Sequence, residues 1–391
     1  MNLSTFRKGG VHPPERKEYA NSKALVRLPI PSELVVSMSQ HLGAPAKPIK
    51  EKGDHVEKGE KIALASSFIS ADVHSPVSGT IKDIRKVTMA NSVTCDAFVI
   101  EPDPQQPEAF TKKVDYQDYS KEKLLEEIKD KGIVGLGGAT FPLHVKITIP
   151  AGRKVDALVI NGVECEPYLT ADHRLMLERT KEVLEGIMIC NRILNPARTI
   201  IGIEENKKDA ALALEKEIEL RSLPIEVCLL RMKYPQGDEK QLINATIGRE
   251  IPSGKLPLDV GAVVVNVGTT YAVYEALAYG KPLYERIVTV TGDCIAQPCN
   301  VIAPIGAKVK DLIAFAGGFS KEPDKLVSGG PMMGFAFYDE ETPIAKGTSG
   351  ILAITDEKDY RKSACLNCGK CVAACPIGLV PTKLYSLITH A

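Results

Sequence analysis

An excess of one charge is missing: Lys plus Arg and Asp plus Glu number 49 each, for a formal net charge of zero. That balance gives no long-range pull towards nucleic acid or an anionic membrane surface, and no nucleic-acid partner is expected. Long apolar runs are missing too. DALVI, GAVVVNV and EVCLL are each strand-sized, well short of the roughly 20 residues of a spanning helix, so no transmembrane segment is expected. The start of the chain, MNLSTFRKGGVHPP, has no apolar h-region and reads as no secretory signal. Six of the ten cysteines (Cys95, Cys165, Cys190, Cys228, Cys294, Cys299) show no framework spacing, as suits reduced thiols of a cytosolic protein. Repeats and low-complexity segments are likewise lacking.

What is there exceeds one comfortable core: 391 residues suggest two to four domains. Residues 41–84 alternate short β-rich pieces with turn signals such as KGD, EKGE and SPVSG. A linker rich in Pro and charge, EPDPQQPEAFTKKVDYQDYS, precedes a helix at about 120–131 with Ser120 as N-cap and Gly132 as its terminal glycine. From 133 to about 270 strands and helices alternate: DALVING, a helix over 174–193, RTIIGIEEN, a helix over 207–221, then PIEVCLLRMKY. That alternation argues an α/β layer with largely parallel strands. Residues 284–338 change to short strands and glycine turns.

Chemistry concentrates in polar loops that follow apolar strands. GLGGATFPLHVK places Gly135, Gly137 and Gly138 ahead of Lys146. Glycines let backbone N–H groups crowd round a phosphate, and a lysine can neutralise it. It is neither a Rossmann fingerprint, since Thr140 takes the third glycine position, nor a Walker loop. By itself a GxGG stretch is more often a tight turn. NGVECEPYLTADHR adds Asn161, Glu164 and Glu166 at the end of the strand DALVI; YPQGDEKQLI and NVGT follow two further strands. Open α/β sheets bind ligands in that crevice. Near the C-terminus Cys365, Cys368, Cys371 and Cys375 form C-x2-C-x2-C-x3-C-P, the run with which bacterial ferredoxins hold [4Fe–4S] clusters. Structural zinc wants a longer loop between cysteine pairs, so iron–sulfur is favoured.

Together these loops resemble the flavin site of the NADH-oxidising flavoprotein subunit of respiratory complex I. GLGGATFPLHVK is similar to its GxGGxGFPxxxK, NGVECEPY to N-A-D-E-x-E-P, YPQGDEKQLI to Y-x-x-G-E-E-x-x-L-I, and NVGT to N-V-E-T. The resemblance implies that Gly135, Gly137, Gly138 and Lys146 hold FMN phosphate and that Asn161, Glu164 and Asn266 surround the flavin. It also implies that Phe141 and Glu239 face the nicotinamide, with Glu166, Tyr234, Gly237 and Asp238 completing the cofactor-binding set. Val163, Thr140, Asp238 and Gly268 depart from that pattern, replacing aspartate, glycine, glutamate and glutamate. Residues 41–84 resemble a biotinyl/lipoyl half-barrel with Phe68 where the modified lysine would stand, so a swinging arm is rejected in favour of a structural adaptor.

The order of these parts resembles the C subunit of the Rnf electron-transport complex. It implies an α/β multidomain fold: a lipoyl-like barrel-sandwich module over 1–110, an FMN/NADH-binding domain over 120–280, a β-grasp SLBB-like domain over 284–345, and a partial ferredoxin-like segment over 355–391. The small β-grasp domain is as readily a packing element as a ligand binder. The expected cofactors are FMN, NADH/NAD and two [4Fe–4S] clusters. Cys365, Cys368 and Cys371 would serve one cluster and Cys375 a second, whose other ligands belong to a second run beyond Ala391 in a chain cut short. The implied activity is an NADH-dependent oxidoreductase passing electrons between NADH, FMN and clusters, with no catalytic acid or base. The implied setting is a peripheral subunit on the cytoplasmic face of the bacterial membrane, with membrane-embedded Rnf subunits and ferredoxin or another redox carrier as partners. A cobalamin reductase of bacterial microcompartments and a flavin-less cluster scaffold are the alternatives.

Overall fold

The computed structural model describes residues 3–355 and 364–389; residues 356–363, within the expected ferredoxin-like segment, lie outside them. The central domain is built on four parallel strands, Ala157–Gly162, Arg198–Glu204, Glu226–Leu230 and Ala262–Asn266. Leu158, Ile160, Val263 and Val265 point into one core, under the helices Lys121–Asp130, Thr180–Leu194 and Val267–Tyr279. Ala157, Val159, Ala262 and Val264 point into the other, against Leu242, Ile243 and Phe6. Burial of both faces is why these strands read as unbroken apolar runs.

Across the sheet the strands run Glu226–Leu230, Arg198–Glu204, Ala157–Gly162, Ala262–Asn266. The first strand of the series therefore lies between the second and the fourth. The chain leaves it towards Arg198–Glu204 on one side and returns from Glu226–Leu230 to Ala262–Asn266 on the other, and a crevice opens at the strand ends where the order reverses. The helix at 121–130 is capped as expected, with Ser120 Oγ accepting from Lys123 N. The helix expected over 174–193 is two, Ala171–Glu178 and Thr180–Leu194. Thr180 Oγ1 donates to Met176 O at 2.7 Å, a back-bond that competes with the helical ladder at the joint.

The smaller modules share a core. The N-terminal module has two antiparallel sheets, one of Leu34–Ser37, Thr94–Pro102, Gly79–Thr88 and His55–Val56, the other of Lys47–Pro48, Lys61–Leu64 and Val73–His74. Phe68 lies between Lys61–Leu64 and Val73–His74 and is 77% exposed. Beyond the linker, a six-stranded mixed sheet joins Glu285–Thr291, Cys299–Pro304, Lys325–Ser328 and Phe335–Phe337 to Gly350–Ile354 and to Leu25–Arg27, which pairs parallel to Cys299–Pro304. Leu34, Phe98 and Ile100 of the first module pack in one cluster with Val288, Val301 and Leu312 of the second. Fully buried Lys346 ties both to the central domain, donating to Asp72 O and Gly132 O at 2.8 Å each.

The N-terminal segment runs along the edge of the central sheet. Ser4 bridges to Leu230, Phe6 is fully buried, and Val11 pairs with Tyr234. Gly10 N donates to Ala374 O at 2.7 Å, so the same segment holds the cysteine-bearing helix Lys370–Ala374.

Candidate flavin site

The crevice is framed by two asparagines. Asn161 and Asn266 are register partners at the ends of adjacent parallel strands. Asn266 starts the helix Val267–Tyr279: its Oδ1 accepts from Gly268 N at 2.8 Å and Thr269 N at 3.3 Å, and its Nδ2 donates to Asp172 Oδ2 at 2.6 Å. Leu136 N donates to Thr269 Oγ1 at 2.9 Å, pinning the glycine loop over that helix start. At Gly137 a Cβ would stand 2.8 Å from Asn266 Nδ2, whereas at Gly138 it would meet nothing within 4 Å. The first glycine permits the close approach; the second leaves open space in front of the backbone. Gly135 N donates to Phe141 O at 2.9 Å, closing the loop and leaving the Phe141 side chain half-buried. Thr140, where complex I has glycine, adopts φ 53°, the left-handed conformation that glycine takes without strain.

Lys146 and Glu239, assigned by the loop resemblance to phosphate and nicotinamide, meet here. Lys146 Nζ lies 2.7 Å from Glu239 Oε1, with both side chains about one-third exposed. Asp238 is the N-cap of the helix Glu239–Ile247, accepting from Lys240 N and Gln241 N. Gly237 joins two loops, its O accepting from Asn161 Nδ2 at 2.8 Å and its N donating to Cys165 Sγ at 3.3 Å. Burial pushes the Cys165 thiol up to about 12, so it stays protonated. Burial likewise pushes the phenol of half-buried Tyr234 up to about 12.

The loop 161–169 is gripped from beneath by two lysines that no sequence motif singles out. Lys17 Nζ donates to Glu164 O and Glu166 O at 2.9 Å and to Leu169 O at 2.5 Å. Lys207 Nζ donates to Val163 O at 2.8 Å and lies 3.6 Å from Glu204 Oε2. Burial and then Lys207 push the Lys17 ammonium down to about 8. Nothing in the spacing of VHPPERK marks Lys17; only the folded path of the N-terminal segment brings it under the loop. Glu164, at φ 47°, accepts from Asp172 N at 2.8 Å and His173 N at 3.3 Å, so its carboxylate caps the helix Ala171–Glu178. Glu166 accepts from Met332 N at 2.9 Å, tying the loop to the six-stranded domain, and burial raises its pKa. The loop resemblance puts both carboxylates beside cofactor; in the fold each holds backbone.

These residues fit a flavin mononucleotide. The open face at Gly138, the exposed Gly137–Ala139 backbone and a reachable ammonium suit a phosphate, while the Asn161 and Asn266 amides, engaged with Gly237, Val163, Asp172, Gly268 and Thr269, shape the polar end of the crevice. The cysteine run is different. Cys365, Cys368 and Cys371 are exposed, and Cys375 Sγ accepts from Leu379 N at 3.3 Å. Among the described residues no three Cys, His, Asp or Glu side chains converge as metal ligands.

A parallel sheet with this order, a glycine loop over its crevice and a lysine and asparagines lining it define a flavin domain of the complex I type. The Nuo51 FMN-binding domain family matches residues 128–275, the RnfC barrel sandwich hybrid domain 5–105 and the SLBB domain 287–336. Among solved structures, the NAD+-reducing [NiFe]-hydrogenase in its air-oxidized state shares the fold, at TM-score 0.52 and 21% identity over 62% of this chain and 48% of that one. The C subunit of the proton-translocating ferredoxin:NAD(+) oxidoreductase complex of Clostridium ljungdahlii is 46% identical, covering 98% of this chain and 84% of its own length. The Na(+)-translocating counterpart of Acetobacterium woodii is 44% identical, at 98% and 88%. The chain belongs to the family of C subunits of Rnf-type ion-translocating oxidoreductase complexes.

Proposed function

We propose that this chain binds FMN at the crevice between Ala157–Gly162 and Ala262–Asn266 and exchanges electrons there with NADH, as a subunit of an ion-translocating ferredoxin:NAD oxidoreductase complex. The observation that carries the reading is the pairing of Asn161 with Asn266 at the point where the strand order reverses, directly beneath the glycine loop. FMN supplies the exchange between a two-electron hydride donor and one-electron carriers. The chain's own residues bind and orient. Gly137 and Gly138 bring backbone N–H groups to the phosphate, Lys146 neutralises it, and Asn161 and Asn266 orient the ring. Phe141 and Glu239 flank the approach of the nicotinamide. Lys17 and Lys207 keep the 161–169 loop in register by its carbonyls. No proton needs to move at a protein atom for hydride transfer, so no acid or base is assigned.

Cys365, Cys368, Cys371 and Cys375 are the proposed [4Fe–4S] ligands on the strength of their spacing. They are not gathered in this fold, and no electron step is drawn through them. Among the described residues no helix is long and apolar enough to cross a membrane. The proposed setting is peripheral, on the cytoplasmic face, docked to membrane-embedded subunits and served by ferredoxin or a similar carrier. Anaerobic titration of the FMN-loaded chain with NADH tests the core of the reading. Stoichiometric flavin whose visible band NADH bleaches is expected; failure to take up FMN saturably, or a flavin that NADH leaves oxidised, overturns it.

A further inference from the structure

A second recess lies behind the flavin crevice, between the central domain and the six-stranded domain. The helices Ala171–Glu178 and Val267–Tyr279 form one wall, and Leu25–Arg27, Glu285–Thr291 and Cys299–Pro304 form the other. It encloses about 70 Å³, room for a few waters or one small anion. Leu25, Leu136, Leu175, Leu283, Ile287 and Ile302 make much of the lining apolar.

Into this recess the six-stranded domain sends Arg286. The residue is only 7% exposed and makes no ion pair among the described residues; the Asp172 carboxylate across the recess acts on it as a countercharge without a hydrogen bond. Its Nε is buried with no acceptor, and of its donors only Nη2 is engaged, at a long 3.4 Å to Leu136 O. Nη1 lies toward Gly268, 3.7 Å from where a Cβ would be. Leaving a guanidinium buried without a hydrogen-bonded anion is costly, and the fold has an alternative that it uses next door. Arg27 and Lys281, on the same side of the recess, are paired with Glu285, and Lys281 also with Glu275. The Arg179 guanidinium, on the opposite wall, makes a single hydrogen bond among the described residues, to Glu178 O at 3.0 Å. Asp172 shares that wall, its Oδ2 held by Asn266 Nδ2 at 2.6 Å.

Gly268 adds room and polarity at the same spot. The resembling complex I loop carries glutamate at this position, and here the side chain is absent beside Arg286. The start of the 13-residue helix Val267–Tyr279 borders the same space; Asn266 Oδ1 already takes Gly268 N and Thr269 N, so the helix contributes its dipole, which favours negative charge, rather than free N–H groups.

We propose that this recess is a binding site for a small oxyanion, a phosphate or a short carboxylate, seated between Arg286, Arg179 and the helix start at Gly268. It adjoins the flavin crevice through Leu136, Asp172 and Gly268, but its two arginines take no part in the flavin reading. A ligand here would bridge the two domains, because its two arginines come from different ones.

Calorimetric titration of the full chain with inorganic phosphate and, separately, with acetate tests the site, against chloride at matched ionic strength. Saturable binding of one of the two is expected, and which one binds tells phosphate from carboxylate. Arg286→Gln should weaken it at least tenfold and Arg179→Gln severalfold. Gly268→Glu, which brings a tethered carboxylate to the guanidinium, should abolish it while raising the melting temperature. Arg179→Gln and Gly268→Glu keep the test decisive if Arg286→Gln fails to fold. Binding that never saturates, or that survives Gly268→Glu unchanged, overturns the proposal. So does one-for-one displacement of phosphate by FMN, which would make the recess the flavin's own phosphate seat.

Discussion

Lys146 and Glu239 form an ion pair where the loop resemblance assigns them separate duties, and that changes what their replacement should do. The pair is 2.7 Å long with 33% and 38% of the side chains exposed. A pair this exposed contributes about 0–1 kcal/mol. A lysine contact to a phosphate is charge-assisted on both sides and contributes about 1.5–3 kcal/mol. To reach the phosphate Lys146 must leave or share Glu239, so the net gain is about 1.5 kcal/mol, roughly tenfold in affinity. Lys146→Ala should therefore raise the FMN dissociation constant about tenfold. Glu239→Gln should lower it about twofold, since the lysine no longer has a competing partner. In the Lys146→Ala background the gain from Glu239→Gln should vanish, because the two effects are one interaction. Fluorescence titration of deflavinated protein measures all four corners, and riboflavin serves as the control: lacking the phosphate, it should bind all four alike. Wild-type FMN affinity in Lys146→Ala, or an equal loss for riboflavin, would refute the reasoning.

Other substitutions read other parts of the same site. Gly137→Ala drives a Cβ to 2.8 Å from Asn266 Nδ2 and should cost about 1–3 kcal/mol in urea denaturation, whereas Gly138→Ala, with nothing within 4 Å, should keep full stability and lose FMN affinity. Equal stability of the two variants would contradict this account of the loop. Lys17→Met strands the carbonyls of Glu164, Glu166 and Leu169; a stability loss of about 2–4 kcal/mol is expected, with FMN retention falling in step, and unchanged FMN affinity would remove Lys17 from the support of the site. Lys346 supplies a pH test. Burial lowers its ammonium to about 7, below the unfolded value of 10.5, so between those values the unfolded chain binds more protons and this group makes stability rise with pH. The wild type should gain more stability from pH 7 to 9 than Lys346→Met does, and identical slopes would show that Lys346 does not titrate in that window.

Local chemistry is legible in the chain itself. The helix capped by Ser120, the apolar strands of the central sheet and the polar loops after them follow from side-chain period and from glycine and cap residues, which act over a few neighbours. The spacing from Gly135 to Lys146 suggests a phosphate loop only through its resemblance to the complex I flavin loop, since by itself a GxGG stretch is more often a tight turn. Sequence order, however, does not say which strands become neighbours. Placing Ala262–Asn266 beside Ala157–Gly162, and so Asn266 beside Asn161, depends on crossovers packing over a common core. The same holds for Leu25–Arg27, which leaves the N-terminal module to pair with Cys299–Pro304 because that sheet edge offers unpaired backbone. It holds also for the charges. Glu164 and Glu166 read as ligands along the chain, yet backbone N–H groups from Asp172, His173 and Met332 take them up. Lys17 and Arg286 carry no signal in their own surroundings. Their importance comes from burial beside groups more than a hundred residues away, Leu169 for one and Leu136 for the other, and burial is a property of the fold alone.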